Sequence, residues 1–278
     1  MRLGFHGATT MTSDLVTDIK ATQHGGFRYL ELWAAKIDRY LADHSPNDLA
    51  ALLREHNVTP TAINSIEFIA FRTPAEYGAI RDRCRQLSKL AKTIGCANVV
   101  VVPSPLPDRS LAWSAIVSEY VRVLRDLSEI AGEHGVNLCF EFLGFGWCTV
   151  RTPRACWEIV QKTDRPNVGM TIDAAHLYGG GGLLGEIDAI DPKKIFTFHL
   201  DDLEDTPKEA ITDANRLIPG TGVIPLADVC EHLKRIGFDG QCSVELFRPE
   251  YWEWDPMKLA KEVRAAALKV LTPFFQVE

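Results

Sequence analysis

The chain has 278 residues, 46% of them hydrophobic and 24% charged, with a formal net charge of −7. That is the composition of a soluble globular protein large enough for one barrel-sized core or two smaller domains. The acidic excess argues against nucleic acid or an anionic membrane surface as the main partner, and no apolar run approaches the length of a membrane span. Met1-Arg-Leu-Gly-Phe-His6 runs straight into a strand pattern, so no signal peptide is expected. The seven cysteines are odd in number and form no Cys-x-x-Cys pair, as expected of buried, reduced thiols in a cytoplasmic protein.

Strand and helix signals alternate from end to end. A strand over 2–6 ends in His6 and leads into Gly7-Ala-Thr-Thr10, which is not the glycine-rich phosphate loop that a doubly wound sheet needs after its first strand. A helical pattern over 12–24 precedes a strand over 28–33 that carries Glu31 and Trp33. Ser45-Pro46 opens the helix over 46–57, and the next strand, 59–64, ends in Asn64. Thr73-Pro74 opens a helix over 74–95, followed by a strand over 97–103 and a helix over 112–134. Strands over 137–142 and 168–173 flank a helix that begins at Thr152-Pro153, and a helical pattern over 183–190 precedes the strand over 195–200. A helix over 225–236, a strand over 241–247 and a helix over 256–272 complete the chain. Gly95, Gly135 and Gly237 fall where C-cap glycines belong. Eight strand–helix units without a linker predict a single-domain (β/α)8 barrel over residues 1–278.

Four of these strands end in residues that are costly to bury. Glu141, Asp173, His199 and Glu245 each close a short apolar strand, and a charge in that position needs a partner or a metal. Side chains alternate across a strand, so Asn137 and Cys139 share a face with Glu141, and Gly169 and Thr171 share one with Asp173. Ile195 and Thr197 are likewise placed with His199, and Gln241 and Ser243 with Glu245, while Leu138, Phe140, Met170, Ile172, Phe196, Phe198, Val244 and Leu246 face the other way. Small or polar residues therefore line a narrow interior, and the ligands sit at the carboxyl mouth where barrel enzymes keep their chemistry. Three carboxylates and an imidazole suit one divalent ion, with Mn²⁺, Zn²⁺, Co²⁺ and Mg²⁺ all compatible. A buried ion-pair network without metal would leave negative charge uncompensated. His6, Glu31, Trp33 and Asn64 reach the same mouth from the first three strands and suggest a polar pocket for a polyhydroxylated ligand.

Several motifs extend beyond the ligands. They are Phe140-Glu-Phe142, Ile172-Asp-Ala-Ala-His176, His199-Leu-Asp-Asp202, Arg216-Leu-Ile-Pro-Gly-Thr-Gly222 and Ser243-Val-Glu-Leu-Phe-Arg-Pro-Glu-Tyr251. With them the chain resembles the xylose-isomerase-like sugar isomerase/epimerase barrels. Ala8-Thr-Thr10, Asp43-His-Ser45 with Asp48-Leu49, and the segment 195–251 resemble the inosose (2-keto-myo-inositol) isomerases of inositol catabolism. The resemblance implies that Glu141, Asp173, His199 and Glu245 hold one divalent ion, that the two glutamates double as acid and base, and that His176 and Arg216 contact substrate oxygens. His6-Gly7 stands where that family carries Asn and Glu, a departure that bears on substrate preference rather than on metal binding.

The chemistry agrees with the residues. Shifting a carbonyl to a neighbouring hydroxyl-bearing carbon needs one carboxylate to take a carbon-bound proton and a carboxylic acid to return one. Glu141 and Glu245 are the expected pair; His176, Arg216 and, more weakly, Arg248 are expected to orient substrate oxygens, with Asn64, His6 and Trp33 completing the substrate pocket. Proton return to the same carbon would make the enzyme a ketose 3-epimerase, and loss of a β-hydroxyl an inosose dehydratase. A repair endonuclease would need a multi-metal cluster and a basic track; a catalytically silent sugar-binding barrel would need no proton carriers. The expected partner is a small polyhydroxylated keto substrate, with no nucleic acid, no membrane, and homo-oligomerisation left open. Gly179-Gly-Gly-Gly182 reads as a flexible connection and Pro219-Gly-Thr-Gly222 as a turn. Tyr251-Trp-Glu-Trp254 could wall the pocket, serve a subunit contact or merely pack.

Overall fold

The computed structural model describes residues 1–107 and 110–278. Eight parallel strands close into a barrel: β1 (Arg2–His6), β2 (Tyr29–Trp33), β3 (Thr59–Ile66), β4 (Asn98–Val101), β5 (Asn137–Glu141), β6 (Val168–Asp173), β7 (Ile195–Leu200) and β8 (Gln241–Val244). Each strand pairs with its neighbours in sequence, and β8 closes the ring on β1 with Arg2 opposite Gln241 and Phe5 opposite Val244. Helices cover the outside. Leucine, isoleucine, valine and phenylalanine from the outer strand faces and the inner helix faces form one continuous core, with a smaller cluster of Ala62, Val100, Val102, Cys139, Leu143, Phe145 and Cys148 inside the barrel and at its mouth. All seven cysteines are buried and unpaired. Among the described residues, no helix is long and apolar enough to cross a membrane.

Local chemistry sets the helix ends where the sequence placed them. Ser45 with Asp48 and Thr73 with Glu76 form reciprocal capping boxes ahead of Pro46 and Pro74, and Thr152 caps the helix that starts at Pro153. Gly95 ends Pro74–Ile94 in the left-handed conformation, at φ +74°.

Expectations for three elements change. The helix Ala34–Leu41 follows β2 with no loop and no side-chain cap, and its Lys36 is buried, which breaks the apolar stripe that would have revealed it. Residues 183–190 form a 3₁₀ turn, Leu184–Ala189, while a short helix, Ala174–Gly179, starts directly from Asp173. On β7 the register slips by one residue, Met170 pairing with Ile195 but Thr171 with Thr197. The bulge sends Ile195 into the outer core and turns Phe196 toward the interior cluster, where it packs on Gly169; the sequence alternation placed both the other way.

The glycine run is close-packed at Gly180 and Gly182, while Gly181 faces open space at φ +73°. A side chain on Gly180 would collide with the Arg151 carbonyl oxygen, and one on Gly144 with the His176 backbone, so the loops after β5 and β6 touch at these two positions. Pro219–Gly222 is a turn wrapped around a carboxylate of the chain itself. Asp202 accepts from the backbone N–H groups of Gly220, Gly222 and Ile224 at 2.8–3.0 Å, the space a phosphate would need. The 251–254 aromatics pack: Trp252 donates to the Ala8 carbonyl at 3.0 Å, and Tyr251 and Trp254 meet edge to face at 5.4 Å.

Candidate active site

The four costly strand endings converge at the carboxyl mouth. Glu141 and Asp173 are the last residues of β5 and β6, His199 is the last but one of β7, and Glu245 follows the last residue of β8. Strand register brings them level, with Asp173 opposite His199 and Ser243 opposite His199 on the other side. One ligand atom from each of the four lies within 4.8 Å of the other three, and all four residues are buried. The imidazole of His199 organises the group: its Nδ1 stands 2.8 Å from Glu141 Oε1, 3.2 Å from Glu245 Oε2 and 3.7 Å from Asp173 Oδ2.

A second layer of charge surrounds this cluster. Arg216 leaves a two-stranded ribbon formed by Asp202–Leu203 and Arg216–Leu217. Its Nη1 donates to Asp173 Oδ2 at 2.7 Å, to Glu245 Oε2 at 3.1 Å and to Asp201, and its Nη2 lies 3.1 Å from His176 Nε2. His176 rides on the helix that Asp173 itself caps, its backbone N–H donating to Asp173 Oδ1 at 2.6 Å. Asp173 thus spends one oxygen on the helix and keeps the other for the cluster. Asp201 is braced by the Ala175 N–H at 2.9 Å.

The charge balance tests whether these residues suit a cation. Five buried carboxylates, Glu31, Glu141, Asp173, Asp201 and Glu245, face two buried cationic groups, Arg216 and a protonated His199. Burial pushes Glu141 up to about 8, with Glu245 and Asp173 adding repulsion against the attraction of His199. Burial also raises Asp201 well above the ordinary aspartate range. For Glu245 burial is outweighed by its positive neighbours, His199 first, and its carboxyl falls below the usual value. Burial disfavours the His199 imidazolium, but Glu245, Glu31 and Glu141 hold it well above the ordinary histidine range. Protons are being retained where a divalent charge would offset the excess, and three oxygens with one nitrogen are the donors such an ion takes. The residues fit.

A cavity of about 290 Å³ opens above the cluster. Glu141, Glu245, His176 and Arg216 line its floor, while Asp173 and His199 lie beneath it. Trp33, Phe68, Phe145, Trp147 and Phe247 supply its aromatic walls, and Asn64, Glu67 and Asp213 add polar edges. The substrate-pocket residues expected from sequence fall into two groups. Trp33, Asn64, His176 and Arg216 reach the cavity. His6 does not: it is buried behind Glu245, its Nδ1 accepts the Ala8 N–H at 3.0 Å, and its Nε2 lies 3.1 Å from Glu245 Oε1. That backbone donor fixes the proton of the neutral ring on Nε2, so His6 faces Glu245 rather than a substrate. Arg248 also stands outside the cavity lining; Glu204 at 2.7 Å and Glu250 at 2.9 Å take its guanidinium.

Two further carboxylates belong to the site: Glu31, expected to reach the mouth as part of the polar pocket, lies outside the cavity lining, and Asp201 had no role in the sequence expectation. Glu31 joins His199 from below, and Asp201 anchors Arg216. Both had a signal. Leu30-Glu-Leu32 repeats the apolar–Glu–apolar pattern of Phe140-Glu-Phe142 and Val244-Glu-Leu246, and Asp201 lies two residues from His199, on the same face of an extended chain.

Known proteins place this geometry in a family. The xylose isomerase-like TIM barrel profile matches residues 19–270. Inosose isomerase of Bacillus velezensis is 36% identical over 280 residues, covering all of both chains, and that of Bacillus subtilis is 35% identical over 279 residues with the same coverage. A crystal structure of the IolI protein with a bound zinc atom superimposes with a TM-score of 0.96 at 35% identity, covering 99% of this chain and 100% of the other. The chain belongs to the xylose isomerase-like TIM barrel family and, within it, to the inosose isomerases.

Proposed function

We propose that the protein is a divalent-metal-dependent isomerase that moves the carbonyl of an inosose, or of a related ketose, to a neighbouring hydroxyl-bearing carbon. One observation carries this reading: of the four clustered ligands, the two glutamates line a cavity of about 290 Å³, and they share its floor with Arg216 and His176. The full-length likeness to inosose isomerases supports the substrate class, and the zinc in the IolI crystal structure supports Zn²⁺ as the first ion to test, with Mn²⁺, Co²⁺ and Mg²⁺ the alternatives.

In this reading one glutamate removes the proton from the hydroxyl-bearing carbon beside the ketone. The electron pair of that C–H bond becomes the C=C bond of an enediolate, and the former carbonyl oxygen takes up the negative charge. The hydroxyl proton passes to that oxygen, the new carbonyl forms, and the second glutamate delivers a proton to the former carbonyl carbon. Arg216 and His176 orient the substrate oxygens from the side, and the aromatic walls keep water from the enediolate. When bound, the ion supplies positive charge opposite the oxygen charge that develops.

The test is metal stripping and reconstitution, followed by keto-inositols and ketohexoses in heavy water. The expected result is deuterium uptake and a shifted carbonyl, both lost on stripping and both restored by a divalent ion. Exchange that survives stripping overturns the metal requirement. A product with its carbonyl in place and one carbon inverted would mean an epimerase, and loss of water a dehydratase.

The outer wall gives a second test. Phe68 after β3 and Trp147 after β5 meet edge to face at 6.0 Å across the cavity, and Trp147 stacks on Phe145 at 5.3 Å while remaining 43% exposed. These rings touch substrate rather than the reacting groups. Trp147→Ala is expected to raise KM by about 3- to 10-fold, the worth of one aromatic contact, with kcat nearly unchanged. Steady-state kinetics on the best substrate decide it; an equal fall in kcat would place Trp147 in the chemistry instead.

A further inference from the structure

Glu31 does something that the metal cluster and the proton carriers do not explain. It lies within β2, across the barrel from β7, and is completely buried. Three donors lie within 3.2 Å of its oxygens, and His6 Nε2 stands further off, 3.4 Å from Oε1. Ser243 Oγ donates to Oε2 at 2.6 Å, Asn64 Nδ2 donates to Oε1 at 3.2 Å, and His199 Nε2 lies 3.1 Å from both oxygens. A carboxylate that receives a hydroxyl and an amide N–H is an acceptor, so the hydrogen shared with His199 belongs to the imidazole.

From this geometry we infer that Glu31 is a positioning residue that keeps a hydrogen of the His199 ring on Nε2, so that the hydrogen given up when an ion binds among Glu141, Asp173 and Glu245 is the one on Nδ1. The inference rests on the metal-dependent reading proposed above. An imidazole has two nitrogens on opposite edges, and whichever keeps its hydrogen cannot be a ligand. Left alone, the ring could offer either nitrogen. Nδ1 faces three carboxylates and Nε2 faces Glu31, so both edges see negative charge, and charge alone does not choose between them. The choice comes from how well each side is held. Glu31 is pinned by Ser243 and Asn64 and presents both oxygens symmetrically to Nε2–H.

Asn64 links this device to the proton carrier. Its amide nitrogen donates to Glu31 Oε1 and to Glu245 Oε1, each at 3.2 Å. One side chain therefore aligns the residue that orients His199 and the inward oxygen of Glu245. That leaves Oε2 of Glu245 on the side of His199 Nδ1 and Arg216. Asn64 lines the cavity as well, so substrate contact there would be felt by both groups.

The experiment uses the full chain with zinc as the probe. Chelator competition gives the zinc affinity of the wild type, of Glu31→Gln and of Ser243→Ala. Long-range nitrogen–proton spectra of histidine-labelled, zinc-loaded protein report which ring nitrogen of His199 carries the hydrogen. The expected results are a hydrogen on Nε2 with Nδ1 as the ligand, a loss of about 10- to 100-fold in zinc affinity for Glu31→Gln, and a smaller loss of about 3- to 10-fold for Ser243→Ala. Should Glu31→Gln not fold, the Ser243→Ala affinity and the wild-type spectrum decide. A hydrogen on Nδ1, or wild-type affinity in the variants that fold, overturns the positioning role while leaving the metal site intact. A wild type that takes up no divalent ion overturns the metal reading itself, and the two failures are told apart by that first measurement.

Discussion

Glu141→Gln and Glu245→Gln should each abolish the net carbonyl shift, by about 10³-fold or more at saturating metal, yet leave different halves of the reaction running. Both glutamates line the cavity, on strands separated around the barrel by β6 and β7, so each can serve a different carbon of a six-membered ring. The variant that lacks the first base should neither exchange nor isomerise a given ketone. The variant that lacks the second carrier should still exchange the hydrogen beside the carbonyl with solvent deuterium and form no product. With the isomeric ketone as substrate the two variants should trade behaviour, because the base of one direction is the acid of the other. Both glutamates are also candidate metal ligands, so metal occupancy is measured in each variant before rates are compared.

The amide should sit where the carboxylate sat, because the surroundings are fixed. At Glu245 the flanking backbone is held by Thr9, whose hydroxyl donates to the Val244 carbonyl at 2.9 Å and accepts the Leu246 N–H at 3.1 Å. Proton inventory by mass spectrometry and NMR reads the outcome. If one variant still isomerises at a wild-type rate with its metal bound, a single glutamate carries both transfers and the two-carrier scheme is wrong.

The sequence exposed those parts of the site that obey a period and hid those that interrupt one. Glu141, Asp173, His199 and Glu245 lie at or next to the carboxyl ends of their strands, beyond the slip in β7, so alternation over the last few residues was enough to read their common face. Phe196 could not be placed, because a one-residue bulge reverses the alternation and a bulge leaves no mark in composition. Ala34–Leu41 was hidden for a related reason: the helix puts a lysine on its buried side. Arg248 looked like a substrate contact because it follows Glu245 by three residues, but β8 ends at Val244 and the chain then turns outward toward Glu204 and Glu250. His6 was near the right place but in a different role, since its tautomer depends on a backbone N–H two residues away. What escapes a sequence reading is the matching of donors to acceptors across the barrel, as between Glu31, Ser243 and His199.

Lys36→Met should cost about 3–5 kcal/mol of stability, the range for breaking a buried ion pair by removing one member, although the residue lies outside the cavity lining. Its ammonium group is buried among four oxygens: the carbonyls of Gly7 at 2.9 Å and Thr10 at 2.7 Å, and both oxygens of Asp18 at 2.8 and 2.7 Å. Thr10 adds its hydroxyl to Asp18 at 2.7 Å. This knot fixes the turn Gly7–Thr10, which carries Thr9 and hence the backbone on either side of Glu245. Burial already pushes Asp18 up to about 7, even with Lys36 beside it. Because its folded value lies above its unfolded value, the folded state binds the extra proton, and this group's contribution falls as pH rises from about 4 through about 7. Without the lysine, ionised Asp18 has no cation in contact, so the variant's deficit should be largest above pH 7 and shrink toward pH 5. Replacing both partners, as in Asp18→Leu with Lys36→Met, should recover much of the stability, because no buried charge is stranded. Turnover should not recover with it, since the Gly7 and Thr10 carbonyls lose their donor and the Thr9 brace loosens. Thermal unfolding at pH 5 and pH 8, set beside kcat for the single and double variants, separates these effects. A single variant that unfolds at the wild-type temperature at pH 8 would show that this buried pair does not support the fold, and a double variant with wild-type kcat that it does not steady Glu245.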